Sequence, residues 1–82
     1  MRLDKYLKVS RLIKRRTVAN EACDAGRVTV NGKSARASYE VKPGDRIVLS
    51  LGAHKLDVEV LEVNEYATKE GASSLYRVVE QR

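Results

Sequence analysis

The spacing of the apolar residues changes along this chain: it is helical up to Gly26, and after it come runs in which apolar and polar residues alternate, over 27–30 and, except around Leu61, over 56–63. A helix-period pattern does not settle as a strand, nor a strand pattern as a helix. The order is therefore two helices followed by a small, mostly antiparallel sheet, an α+β domain with no internal repeat or linker. In residues 2–10 a rotation of about 100° per residue gathers Leu3, Tyr6 and Leu7 on one face and leaves Arg2, Asp4, Lys5 and Lys8 on the rest. Residues 11–16 read as a connector, with Leu12 and Ile13 turned inward. Arg11 opens it, and Lys14, Arg15 and Arg16 point outward because three consecutive cations are hard to bury. Thr17 is an N-cap or first-turn residue of a second helix that reaches Ala25. Val18, Ala22 and Ala25 share one of its faces, Thr17, Glu21 and Asp24 lie opposite, and Gly26 ends it in the left-handed conformation.

The second half is punctuated by turns. Arg27-Val28-Thr29-Val30 alternates and runs into Asn31-Gly32, a strong signal for a tight reversal. Pro43 and Gly44 in VKPGD mark another turn, and residues 47–51 follow as a strand. Residues 52–55 reverse the chain into a half-exposed strand over 56–63, with Leu56, Val58, Val60 and Val63 inward and Asp57, Glu59 and Glu62 on a solvated acidic face. Residues 64–74 form a polar loop or one helical turn, and residues 76–79 pair as a last strand.

Charge divides the chain in the same place. Seven of its sixteen Lys and Arg lie in the first sixteen residues, against one acid, Asp4. Residues 1–46 carry 12 basic and 5 acidic groups, and residues 47–82 carry 4 and 6. The net charge of +5 is thus an excess in the first half, seated on an amphipathic helix docked to a core and not on a disordered tail. A fixed basic platform suits a polyanion, and the acidic strand face points away from it.

At 82 residues the chain makes one domain with a thin core, which Leu, Val, Ile and Tyr must fill because Phe and Trp are absent. The single cysteine, Cys23, excludes an internal disulfide or a multi-thiolate metal site and fits a reducing compartment. The opening lacks the apolar run of a signal peptide, and no segment approaches the roughly 20 apolar residues of a membrane span, so the expectation is a soluble cytoplasmic protein. His54, the one histidine, is far in sequence from Cys23, and there is no Gly-rich phosphate loop, so neither a nucleophilic pair nor nucleotide chemistry is indicated. The expectation is a non-enzyme without metal or cofactor.

RLDKYLKVSRLIKRRT, then AGRVTVNGKSA, then VKPGD followed by a strand, together resemble the alpha-L RNA-binding motif, the S-four domain named for ribosomal protein four of the small subunit. The resemblance is close over residues 1 to about 50, and the rest fits the short sheet that completes such a domain as one unit over 1–82. Among members, the chain is most similar to the free-standing RqcP/YabO type of bacterial ribosome-associated quality control. The heat-inducible type is second, since it normally extends further in a basic C-terminal segment, whereas this sequence stops at Arg82 after an acidic-leaning sheet. The resemblance implies binding to rRNA of the obstructed large ribosomal subunit and to its peptidyl-tRNA. It also implies cooperation with a nascent-chain tailing factor on the same subunit, with this chain acting as a monomer.

The RNA-facing candidates are Arg2, Asp4, Lys5, Lys8, Arg11, Lys14, Arg15, Arg16, Thr17, Arg27, Asn31, Lys33 and Arg36. Arg15 and Arg16, at the entrance to the second helix, lead for phosphate, because guanidinium offers a planar fork beside free backbone amides. Arg2 and Lys5 lie on one flank of the first helix, and Lys33 and Arg36 follow the Asn-Gly turn; together these outline an L-shaped groove. Asp4 either orients Arg15 or Arg16, accepts from a base edge or ribose hydroxyl, or pairs with Lys8 one turn on. Asn31 and Gly32 serve the turn first, although a tight turn also lets backbone approach RNA closely.

Two other classes compete. A helix-turn-helix DNA-binding regulator shares the two short helices, but a second helix over 17–25 carries Asn20 and Glu21 and no cation to read a major groove. A structural ribosomal protein differs from a factor in stoichiometry, which sequence does not encode.

Overall fold

A computed structural model describes residues 1–64 and 71–79, and shows two helices, α1 (Leu3–Val9) and α2 (Arg16–Asp24), against a five-stranded antiparallel sheet. The strands are β1 (Val28–Val30), β2 (Lys33–Ser34), β3 (Arg46–Leu51), β4 (His54–Val60) and β5 (Tyr76–Val78), with a 3₁₀ turn at Ala72–Ser74 before the last. Their order across the sheet is β2-β1-β3-β4-β5. The expected loop over 64–74 lies largely outside the described residues, and its described end is that single 3₁₀ turn.

α1 has no side-chain cap at its N-terminus. Its first amides are instead satisfied from a distant segment: Leu3 N donates to the Tyr39 carbonyl at 2.8 Å and Asp4 N to the Ala37 carbonyl at 3.1 Å. Arg2 pairs with Glu40 in an isolated antiparallel bridge, so the chain enters the helix as a strand-like strap across residues 37–41. The helix stops at Ser10, whose buried hydroxyl donates to the Leu7 carbonyl, and at Arg11, which takes a left-handed φ of 63°. Leu3, Tyr6 and Leu7 are fully buried, as their spacing requires, and Ile13 is buried from the connector while Lys14, Arg15 and Arg16 stay exposed.

α2 starts one residue earlier than its sequence suggests, with Arg15 as N-cap. It ends in a Schellman arrangement: Gly26, at φ 75°, donates to the Cys23 carbonyl and Arg27 N to the Ala22 carbonyl. Its buried stripe is Ala19, Ala22 and Cys23, rotated from the expected Val18, Ala22 and Ala25; Val18 is 46% exposed and Ala25 is exposed. Three small side chains at i, i+3 and i+4 let the helix approach α1 and β1 closely, and the bulkier Val18 is left outside.

Asn31 and Gly32 take φ of 54° and 84°, as a type I′ reversal needs, and set the register Val30↔Lys33. The chain after this turn forms β2, which is only two residues long and carries no readable alternation. A second two-residue reversal at residues 52–53 joins β3 to β4 with Leu51 opposite His54, so β4 begins before the expected position 56 and ends at 60.

The core joins α1 and α2 to the inner face of β1, β3 and β4 through Val28, Ile47, Leu49, Val58, Val60 and Leu75. Each large side chain buried there contributes about 1.5–3 kcal/mol. Tyr6 also reaches across the molecule to donate its hydroxyl to the Leu75 carbonyl at 2.7 Å. Burial raises the Tyr6 pKa, and with Tyr76 nearby the hydroxyl stays a donor.

The outer face of the sheet corrects one expectation. Asp57 is 6% exposed, not solvated, and accepts two parallel bonds from Arg46 at 2.9 and 3.0 Å. Arg46 lies opposite Glu59 and Asp57 opposite Val48, so the ion pair runs diagonally across the β3–β4 ladder. Arg77 on β5 pairs with Glu59. Among the described residues no helix is long and apolar enough to cross a membrane.

Candidate nucleic-acid interface

The candidate interface is organised around Asp4. Its position in the first turn of α1 aims the carboxylate across to the N-terminus of α2, and its side chain is 3% exposed. One oxygen accepts the Lys5 N–H at 2.8 Å and Arg2 Nε at 3.2 Å. The other accepts Asn20 Nδ2 at 3.3 Å and faces Arg16 Nε at 3.4 Å. Of the three sequence readings of Asp4, the structure realises the first, orientation of Arg16, and adds Arg2 to it. The pairing with Lys8 is not formed, and Lys8 is exposed.

Arg2 and Arg16 are anchored by one edge only. Their side chains remain 51% and 47% exposed, so each has guanidinium N–H groups left for solvent or a ligand. One buried carboxylate thus fixes two half-exposed cations side by side, where mutual repulsion would otherwise push them apart. Burial pushes the Asp4 carboxyl up, but hydrogen bonds from Asn20, Arg16 and the Lys5 amide, with the Arg16 charge, bring it below its ordinary value. It is therefore ionised at neutral pH. Beside it Asp4, Arg16, Thr17, Asn20 and Glu21 line a shallow depression.

Lys14, Arg15 and Thr17 are exposed around this point, and no side chain caps the N-terminus of α2. Because α2 starts at Arg16, its first turn does contain a cation, while the rest of the helix contains none. Lys5 is half-buried and Arg11 is exposed at the left-handed turn that closes α1.

The other predicted residues separate into two further places. Lys33 and Arg36 line an open groove with Val30, Asn31, Ser34, Ala35, Ser38 and Tyr39. Arg27 lines a different, largely apolar depression with Leu12, Ile13, Val18, Glu21, Ala22 and Ala25. The Asn31 side chain is spent on structure: Nδ2 donates to Asp45 at 3.1 Å, and Oδ1 accepts Arg46 N at 3.0 Å. Asp45 also accepts Tyr39 Oη and Lys42 N, each at 3.0 Å, and so ties the VKPGD turn to the β1–β2 turn. The Asn31 side chain therefore serves the turn first, as its sequence suggests, while the residue also lines the open groove.

Asn20 was not among the predicted residues, although its i+4 spacing from Arg16 puts both on one face of α2. Cys23 is buried in α2, where burial first, then the Asp4 and Asp24 charges, push its thiol up to about 11. It stays a neutral packing residue, and His54 is exposed at the start of β4.

Comparison with known proteins points the same way. Residues 1–47 match the model of the S4 domain. The chain is 56% identical over 78 residues to a protein of Halalkalibacterium halodurans named "RQC P-site tRNA stabilizing factor", covering 95% of this chain and 89% of that one. It is 48% identical over 81 residues to the Bacillus subtilis protein of the same name, covering 99% and 94%. Among solved structures, the trimeric heat shock protein 15 of Vibrio cholerae superposes with a TM-score of 0.88 at 30% identity, over 96% of this chain and 81% of that one. The solution structure of a hypothetical protein gives 0.83 at 31% identity over the whole of both chains.

Proposed function

We propose a role that proceeds from one premise: this chain belongs to the S4 domain family and, within it, to the RQC P-site tRNA stabilizing factors. It acts as an RNA-binding factor of ribosome-associated quality control, holding tRNA on the obstructed large subunit while the stalled nascent chain is tailed. Its ligands are large-subunit rRNA and peptidyl-tRNA, its neighbour on the subunit is a tailing factor, and its work is cytoplasmic. It contributes binding, not bond making.

One observation carries the reading: the Asp4 carboxylate, buried between α1 and α2, presents the Arg2 and Arg16 guanidinium groups together. Guanidinium grips phosphate through parallel N–H bonds, and the fork is useful only if its direction is fixed. Asp4 fixes it before RNA arrives, so less side-chain freedom is lost on binding. Lys14 and Arg15 extend the positive field around the first turn of α2, where free amides also favour an anion. Neutralised phosphates release counterions, so affinity falls steeply with salt, with a slope of roughly −0.7 to −0.9 per contact.

Arg16→Ala, assayed by co-sedimentation with large subunits over a salt series, should weaken binding and flatten the slope by about one. Unchanged affinity and slope would remove Arg16 from the interface. Lys8 and Arg11, exposed at the far end of α1, are supporting contacts in this reading.

A further inference from the structure

Lys33 and Arg36 need an account of their own, because neither lies in the Asp4 cluster. Both are exposed, and neither forms an ion pair among the described residues. They flank a groove of about 670 Å³, within the roughly 300–1,000 Å³ of sites that accept a small molecule. Tyr39 is its one aromatic lining residue, and Ser34 and Ser38 place hydroxyls at its wall.

The wall is preorganised. Tyr39 is half-buried against the core, its hydroxyl donates to Asp45 at 3.0 Å, and Asp45 is fixed in turn by Asn31 and Lys42 N. The Tyr39 carbonyl caps Leu3 N, so the groove is built on the strap that positions α1 and the Asp4 cluster. Two other depressions among the described residues differ in kind: one is lined by the buried carboxylate of Asp4 and holds no aromatic residue, and the other is largely apolar.

We propose that this groove holds one unstacked nucleotide of the bound RNA, a bulged or loop base, with Tyr39 as the stacking surface and Lys33 and Arg36 on the flanking phosphates. The proposal rests on the RNA-binding reading above and adds the kind of RNA recognised. A single ring stacks a single base, and a base inside a duplex is not available for stacking on protein. The serine hydroxyls can meet base edges or the ribose 2′-hydroxyl. The Asp4 cluster grips backbone of any sequence, while the groove selects RNA that can present a base outside the stack.

The test uses the full chain and two RNA hairpins identical except that one carries a single bulged 2-aminopurine. Wild type should bind the bulged hairpin about tenfold more tightly and change the probe's fluorescence on binding. Tyr39→Leu should abolish both effects while affinity for the paired hairpin stays within about twofold. Tyr39→Phe loses the Asp45 bond but keeps the ring, so it should retain the preference, which separates stacking from stability. Lys33→Ala with Arg36→Ala should weaken the bulged complex more than the paired one. Equal affinity of wild type for both hairpins, with Arg16 dependence retained, overturns the groove and leaves the RNA reading standing. Failure to bind either hairpin sinks both. Preferential capture of an Asp/Glu-rich peptide by Lys33 and Arg36 also overturns the nucleotide.

Discussion

Arginines occur in pairs in two regions of this molecule, to opposite effect. On the sheet each has its own acid: Arg46 is held twice by Asp57, and Arg77 pairs with Glu59 on the neighbouring strand. At the junction of α1 and α2, Arg2 and Arg16 share one acid, Asp4, and it is buried. In the first region charge is consumed as cross-strand pairing, and the Asp57 carboxylate favours the charged form of Arg46, raising its pKa. In the second an excess of positive charge survives and is given a direction. The ratio of acid to base, more than the number of cations, decides which surface is available to a polyanion.

Removing the shared acid should break this difference most severely. Asp4→Ala takes the anchor from both arginines and leaves Asn20 and the Lys5 amide without their acceptor. A loss of about 1–2 kcal/mol in denaturant unfolding is expected, because part-buried donors lose their acceptor while the half-exposed arginines are re-solvated. RNA affinity should fall about tenfold or more as the two forks lose direction, and unaltered stability and affinity would show that Asp4 is a bystander.

Acid gives the same result by titration. The folded Asp4 carboxyl lies below its ordinary value of 3.8, so the stability it provides is fully present above that value and lost as the pH falls below it. Unfolding followed against pH should show this loss for wild type, and Asp4→Asn should flatten it. A slope unchanged in that variant would assign the acid sensitivity to other carboxylates.

The smallest effect is expected on the sheet, where Glu59→Ala removes an exposed pair and should leave RNA binding within about twofold. A large loss there would mean that the outer sheet face contacts RNA and that the contrast between the two regions is misplaced.

Much of this was legible in the sequence. Leu3, Tyr6 and Leu7 announce the buried face of α1, Asn31-Gly32 the first hairpin, the VKPGD turn the strand β3 that follows it, and a period-two run β4. Asp4 was legible only as an odd acid, because helical periodicity places it among polar neighbours while its burial depends on where α2 docks. The same docking set the face of α2: the small stripe of Ala19, Ala22 and Cys23 won over the larger Val18 through close approach, a quantity no periodicity contains. Alternation put Asp57 correctly on the outer face, yet its partner is diagonal in the ladder and follows from register, which the turn at residues 52–53 sets. β2, at two residues, was too short to have a pattern at all.

The long-range bond from Tyr6 to Leu75 bears on how the protein is made. The acceptor for the buried Tyr6 hydroxyl of α1 is 69 positions further along the chain, on a carbonyl that also serves Leu61 N and Glu62 N. Until that residue is synthesised and released, Tyr6 must either stay wet or be buried without a partner, at a cost of about 1–3 kcal/mol. A growing chain that has passed residue 47 holds the whole S4 match but not the closure that seats α1. The helix that carries Arg2 and Asp4 is thus closed onto the core by a residue far along the chain, so local helix formation alone does not complete its burial.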